Sequence, residues 1–274
     1  MVWNCIRYKG IMPKQPIVFF TFVSDNYYEP VGTPLLSNSF KKFHPEIPLV
    51  VFRDDVIKQV IDSKEKFMDG RVNWLNAKPV FAKLLTDKYE MVVNIDADSV
   101  VLGRLDEVLT EDYDIGSVMN QNDFESVSVD NITEEMYLQA GFIACRTPEF
   151  WDSWMQLSLK DNWRMKCAEN DTMNLVIYNQ YVPAGYKLKV FDEKGYMGCK
   201  VLGRESECII EDEKVMCRGE QVKVYHSAKG PGNMPKLTPE KLKEYGFKDE
   251  VIGFIHAAGT FGTTQLFGNH KDLE

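Results

Sequence analysis

The sequence predicts an α/β domain with a Rossmann-like, mostly parallel central sheet, helices on both faces and a smaller β-rich region late in the chain. Three observations lead there. Up to Asp98, short apolar runs alternate with longer amphipathic stretches, the pattern of βα units around a parallel sheet. One apolar run ends directly on an acidic triplet, at the place where ligands collect in open α/β sheets. A length of 274 residues with 44% hydrophobic and 12% aromatic content supplies the core of one large domain or two small ones.

Taken in order, residues 17–23 read as a buried strand, 31–43 as an amphipathic helix and 48–52 as a second strand. A helix over 76–85 and a strand over 90–95 follow. The loops after Val23 and Ile95 then face one crevice, since ligands bind outside the carboxyl ends of such strands. From Ser117 onward the pattern shifts to strand fragments and helices on longer connections, with a strand at 142–145 and helices at 148–159 and 171–178. Short strands and charged turns over 196–225 predict a hairpin or meander. The expected organisation is an extension over 1–15, one domain over 16–260 with halves meeting at 116/117, and a flexible tail over 261–274.

Composition removes several function classes. With 32 Lys+Arg against 41 Asp+Glu the formal charge is -9, which disfavours nonspecific binding to nucleic acid or anionic lipid. The longest apolar run, near Ile17-Val18-Phe19-Phe20, is far shorter than the roughly 20 residues that cross a bilayer. The N-terminal residues show no basic stretch leading into an apolar run of about 7–15 residues, so a soluble, cytoplasmic protein is expected. Cysteines at 5, 145, 167, 199, 208 and 217 form no CxxC pair and match no zinc spacing, and are read as reduced thiols.

The chemistry concentrates in Met91-Val92-Val93-Asn94-Ile95-Asp96-Ala97-Asp98-Ser99. Alternate strand side chains share a face, and a turn at Ala97 lets the carboxylates of Asp96 and Asp98 converge on one cation. Hard oxygen ligands suit Mg²⁺ or Mn²⁺, and small Ala97 allows a diphosphate close to the backbone. Asp-x-Asp also occurs on ordinary solvated turns; the buried strand before it argues for a site. A strand followed by Asp-x-Asp-x-Val equally fits a haloacid-dehalogenase-like phosphatase with Asp96 as nucleophile. Against that stand the strand-helix units preceding the motif and the absence of a later Gly-Asp-x-x-x-Asp pair.

Further segments flank the triplet: Phe20-Thr21-Phe22-Val23-Ser24-Asp25-Asn26-Tyr27, Lys78-Pro79-Val80-Phe81, Gln139-Ala140-Gly141-Phe142, Glu169-Asn170-Asp171-Thr172-Met173-Asn174-Leu175 and Tyr225-His226-Ser227-Ala228-Lys229-Gly230. In their order the chain resembles GT-A glycosyltransferases, especially family 8 (the glycogenin and galactosyltransferase-like group), from residue 17 to 236. The resemblance implies that 16–116 binds nucleotide and 117–260 binds donor sugar and acceptor. Thr21, Asp25 and Tyr27 would cradle the base, and Lys78, with Lys83 as rival, would touch the donor. Ala140 and Gly141 would let the sugar approach the backbone, although Gln139 stands where the family has Asn. Glu169, Asn170 and Asp171 would lie beside the sugar or the reacting carbon, matching the family in type and spacing rather than identity. His226, with His256 as rival, would be the third metal ligand after Asp96 and Asp98. Lys229 would meet the diphosphate, at a shorter spacing than the family's, and Lys236 is its alternative. Read alone, Asp25 and Asp171 are helix caps, Tyr27 a packed aromatic and Lys78 a surface lysine.

The function so implied is Mn²⁺- or Mg²⁺-dependent transfer of a hexose or N-acetylhexosamine from a UDP-sugar, with a GDP-sugar as second choice. The acceptor is a glycan, protein or lipid-linked sugar, and the anomeric configuration is retained. An inverting enzyme would instead use Asp171 or Glu169 as base. The expected partners are the nucleotide-sugar donor and a carbohydrate or glycoconjugate acceptor, with no nucleic acid and no transmembrane segment, in a monomer or homodimer. The non-enzymatic alternative is a nucleotide-sugar binding module.

Overall fold

A computed structural model describes residues 15–23, 32–53, 77–120, 132–161, 168–191, 203–227 and 237–259. The apolar runs become β1 (Gln15–Phe22), β2 (Leu49–Phe52) and β3 (Tyr89–Ile95), with α1 (Gly32–Phe43) and α2 (Lys78–Leu85) between them. After the triplet come β4 (Ser99–Val101), the short α3 (Asp106–Thr110), β5 (Ile115–Met119) and β6 (Leu138–Cys145). Next are α4 (Pro148–Asp161), α5 (Ala168–Val176), a π-helical turn over Ile177–Tyr181 and β7 (Leu188–Phe191). The main sheet has the order β2-β1-β3-β6-β5-β7. Its pairs are parallel except at β6, which runs against both neighbours. The position 116/117 falls inside β5, so both halves of the chain contribute to one sheet.

Strand alternation sends successive side chains to opposite faces, and both faces are covered. Val18, Phe20 and Val92 pack against Phe81 of α2 and Trp151 and Trp154 of α4. Phe19, Met91 and Val93 pack on the other side against Leu36 and Phe40 of α1 and Val108 of α3. Trp151 and Trp154 are fully buried and stack at 5.8 Å, each contributing about 1.5–3 kcal/mol of apolar burial.

Beyond the main sheet, β8 (Cys208–Glu211), β9 (Lys214–Cys217) and β10 (Glu220–Gln221) form a meander, as the short charged turns predicted. The strand β11 (Val224–His226) leaves that meander and pairs antiparallel with β4. Helices α6 (Pro239–Tyr245) and α7 (Asp249–Gly259) close this side; Thr238 caps α6, and Gly246, at φ 104°, ends it in the left-handed conformation that glycine adopts without strain.

The structure changes three sequence readings. β6 is twice the predicted length and buried throughout, so its first half carries no alternation to betray it. α5 begins at Ala168 rather than Asp171, which puts Glu169 and Asn170 on the helix. His256 lies in α7 and not at a strand end: Val251, Ile252, Ile255 and Ala258 recur at helical spacing and bury one face.

β6 also departs from regular pairing. Ser117 of β5 sits opposite Ile143, but the next residue, Val118, sits opposite Gln139. Ala140, Gly141 and Phe142 therefore bulge away from the β5 ladder, and the Ser117 hydroxyl lies 3.0 Å from the carbonyls of both Gln139 and Phe142 that flank the gap.

Candidate metal centre

Parallel β1 and β3 end on the same sheet edge, and Asp96 follows β3 directly. A turn through Ala97 leads into β4, with the Asp96 carbonyl accepting from Ser99 N–H at 3.0 Å. Antiparallel pairing of β4 and β11 puts His226 opposite Ser99, and Ser227 N–H donates to the Asp98 carbonyl at 3.1 Å. The ladder thus delivers the imidazole to the acidic turn across 128 residues of sequence. His226 Nε2 lies 2.9 Å from Asp98 Oδ1 and 3.6 Å from Asp96 Oδ2. One ligand atom from each of Asp96, Asp98 and His226 falls within 4.8 Å of the others. Two carboxylate oxygens and an imidazole nitrogen form a donor set that suits Mn²⁺ or Mg²⁺.

The rest of the site is a buried polar network built by the bulge. Freed from β5, Ala140 offers its carbonyl to Lys78 Nζ at 3.3 Å and to Asn94 Nδ2 at 3.1 Å. Its N–H donates to Asn170 Oδ1 at 2.7 Å. Asn174, one turn further along α5, brackets Leu138 with both ends of its amide, accepting from the N–H and donating to the carbonyl at 2.8 Å each. Two asparagines at helical i,i+4 spacing thereby staple the start of α5 to the bulged stretch of β6. The Gly141 carbonyl accepts from Asp96 N–H at 2.9 Å, which ties the bulge to the acidic turn.

Lys78 is 1% exposed and sits 2.9 Å from Asp96 Oδ1 and 3.6 Å from Glu169 Oε1, so it is an internal cation and not the surface lysine of the bland reading. Its rival Lys83 is half-exposed and pairs with Asp152 at 2.6 Å. Burial alone would lower the Lys78 pKa, but the carboxylates of Asp96 and Glu169 outweigh it and hold the ammonium above its ordinary value. Burial pushes the Glu169 carboxyl up; Lys78 opposes this in part and Asp96 adds to it. Burial also disfavours charged His226, yet the Asp98 and Asp96 carboxylates prevail and its pKa lies above the usual 6.5. Asp171 is buried and accepts from the Tyr137 hydroxyl at 2.6 Å.

The structure brings together Asp96, Asp98, His226, Lys78, Glu169, Asn170, Ala140 and Gly141. Thr21, near the end of β1, is buried, and its hydroxyl has no hydrogen-bond partner among the described residues. Asp25, Tyr27, Lys229 and Lys236 lie outside the described residues. Sequence reasoning gave no role to Asn94, which reaches Asp96 Oδ1 at 3.4 Å as well as Ala140. The signal was there: a polar residue inside an otherwise apolar strand must find a partner. Asn174 and Tyr137 carried no such cue, because their partners are distant in sequence.

The fold occurs in known structures. Bifunctional glycosyltransferase WbbM matches at TM-score 0.57 and 14% identity over 90% of the chain. An active-site mutant of LgtC matches at TM-score 0.54 and 14% identity over 86%. LgtC described as a galactosyltransferase with donor and acceptor sugar analogues matches at TM-score 0.51 and 14% identity over the same share. The fold is the GT-A glycosyltransferase fold. The chain spans about half the length of WbbM, 52%, and 99% of LgtC. No protein-family model matches the sequence, and no curated protein does. Among the described residues no helix is long and apolar enough to cross a membrane.

Proposed function

We propose that the chain is a metal-dependent glycosyltransferase that moves a hexose or N-acetylhexosamine from a UDP-sugar to a carbohydrate or glycoconjugate acceptor with retention of configuration. The observation that carries this reading is the convergence of Asp96, Asp98 and His226 at the carboxyl edge of a GT-A sheet. It is supported by the glycosyltransferases that share the fold and by the sugar analogues named with LgtC.

In this reading Asp96, Asp98 and His226 hold the ion, and Mn²⁺ or Mg²⁺, when bound, neutralises charge growing on the departing diphosphate. Lys78 fixes the Asp96 carboxylate against its neighbours, so the ligand geometry exists before the donor arrives. Asn170 spends its amide oxygen on Ala140 N–H, which leaves its Nδ2 protons for a sugar hydroxyl. Glu169 is the carboxyl nearest Lys78 on α5, and in this reading it would bind a sugar hydroxyl or face the reacting carbon. Asp171, engaged by Tyr137, sets the height of α5. Thr21, Asp25 and Tyr27 bind the base, and Lys229 assists departure of the nucleotide. Chemistry of this kind is mainly positioning and electrostatic stabilisation.

The test is release of UDP from a panel of UDP-sugars with Mn²⁺ and a range of sugar acceptors. Metal-dependent release is expected with at least one donor. No release from any common donor, together with no Mn²⁺-dependent binding of UDP, sinks the reading. Phosphate release from simple monoesters would favour the phosphatase reading of Asp96.

A further inference from the structure

A second chemical site lies away from the metal centre, in the β8–β9 hairpin. Its turn has two residues, Asp212 and Glu213, both left-handed at φ 47° and 58°, as in a type I′ hairpin. In such a hairpin the closing pair, Glu211 and Lys214, exchanges backbone hydrogen bonds. Pairs then alternate, so Ile210–Val215 is not hydrogen-bonded, Ile209–Met216 is, and Cys208–Cys217 is not. Two facts from the opposite edge of β9 agree. The Val215 carbonyl accepts from Val222 N–H at 2.8 Å and so points away from β8. A second two-residue turn, Arg218-Gly219, makes Cys217 and Glu220 the closing pair with β10, which turns the Cys217 backbone away from β8 as well.

The register matters because a non-hydrogen-bonded antiparallel pair holds its Cα atoms about 4.5 Å apart, with side chains on one face and close together. A disulfide spans Cα separations of about 4.4–6.8 Å, which excludes neither partner here. Both cysteines are buried in the cluster that contains Val100, Val222 and Tyr225, and both are free thiols in the structure. We propose that Cys208 and Cys217 are a modification site: they close a cross-strand disulfide when the chain meets a thiol oxidant of the small-molecule disulfide class. The two thiols lose two protons and two electrons, a sulfur–sulfur bond forms between them, and the small-molecule disulfide is reduced to two thiols through a mixed-disulfide step.

Burial raises the Cys208 thiol, and its neighbour Cys217 raises it further, so little reactive thiolate exists in the closed hairpin. The bridge therefore forms as the chain folds or when the hairpin opens. Once made, it pins the meander against which Tyr225 packs, next to His226 on β11.

The sequence supplies a clean assay, because trypsin cuts after Arg204, Lys214 and Arg218 and separates the two cysteines. The full chain is refolded in a glutathione redox buffer, its remaining thiols are alkylated, and tryptic peptides are mapped by mass spectrometry without reduction. The expected product is peptide 205–214 joined to 215–218, lost on reduction and absent from C208S and C217S. The oxidised wild-type chain should melt about 5 °C above the reduced one, with no such gain in either variant. Alkylation of both thiols under oxidising refolding, a glutathione adduct on either as the end product, or pairing of either with another cysteine would overturn the proposal.

Discussion

Asp96 leans on Lys78, an ammonium 1% exposed and held above its ordinary pKa, whereas Asp98 leans on His226, an imidazole whose pKa the Asp98 and Asp96 carboxylates raise above its ordinary value. The first corner is built from β3, α2, the β6 bulge and α5, and is neutralised permanently from within the protein. The second is a ribbon of two three-residue strands, β4 and β11, and its counter-charge depends on the solution. Asp96 is therefore held in place by a cation that the fold itself supplies, whereas the partner of Asp98 can give up its charge; both carboxylates belong to the candidate site. The difference teaches that two carboxylates of one candidate site, two positions apart in sequence, can be held by counter-charges of different permanence.

Three experiments break or sharpen that comparison. The largest effect is expected from Asp98→Asn, which removes a proposed ligand and leaves as its former partner a histidine that can give up its proton. Mn²⁺-dependent UDP release should fall by about 10³-fold or more, while the thermal midpoint of the metal-free chain stays within a few degrees of wild type. Next comes Lys78→Met, which leaves Asp96 and Glu169 uncompensated in a buried setting. Chemical denaturation should show a loss of about 3–5 kcal/mol, against about 0–1 kcal/mol for Lys83→Ala at the half-exposed pair with Asp152. Equal losses for the two lysines would remove the distinction between the corners.

The smallest effect is the pH dependence at His226. Its pKa is raised in the folded, metal-free chain, so protonation adds stability below the unfolded value of about 6.5, and that stability is lost as pH rises through the folded pKa. Metal binding carries the opposite sign, because the ion needs neutral imidazole and must displace the proton. Apparent Mn²⁺ affinity, measured by calorimetry, should drop up to about tenfold per pH unit below the folded pKa and flatten in His226→Gln. A pH-independent affinity in the wild type would remove His226 from the ligand set.

How much of this was legible in the sequence depends on the distance over which each contact acts. β1, β3 and the acidic turn announce themselves locally, as apolar runs ending on Asp96-Ala97-Asp98. His226 does not: it reaches Asp98 only through the pairing of β11 with β4, and strands of that length carry no periodicity of their own. A family resemblance supplied it. The same reasoning offered His256 on a strand-like pattern, and the helical burial of α7 overrides that pattern. Lys78 is set against the donor by the resemblance and reads as a surface lysine when taken alone; only the placement of Asp96 and Glu169 around it explains its burial. The bulge in β6 was invisible, since Leu138–Cys145 is buried from end to end and register leaves no mark in such a run.

That bulge has an evolutionary consequence. Ala140, Gly141 and Phe142 interrupt the β5–β6 ladder, and a chain that deleted them could close it with regular hydrogen bonds. Such a deletion would carry off the Ala140 carbonyl that Lys78 and Asn94 share and the Gly141 carbonyl that steadies Asp96. The more regular sheet would be the easier one to fold, and it would have nowhere to put a ligand.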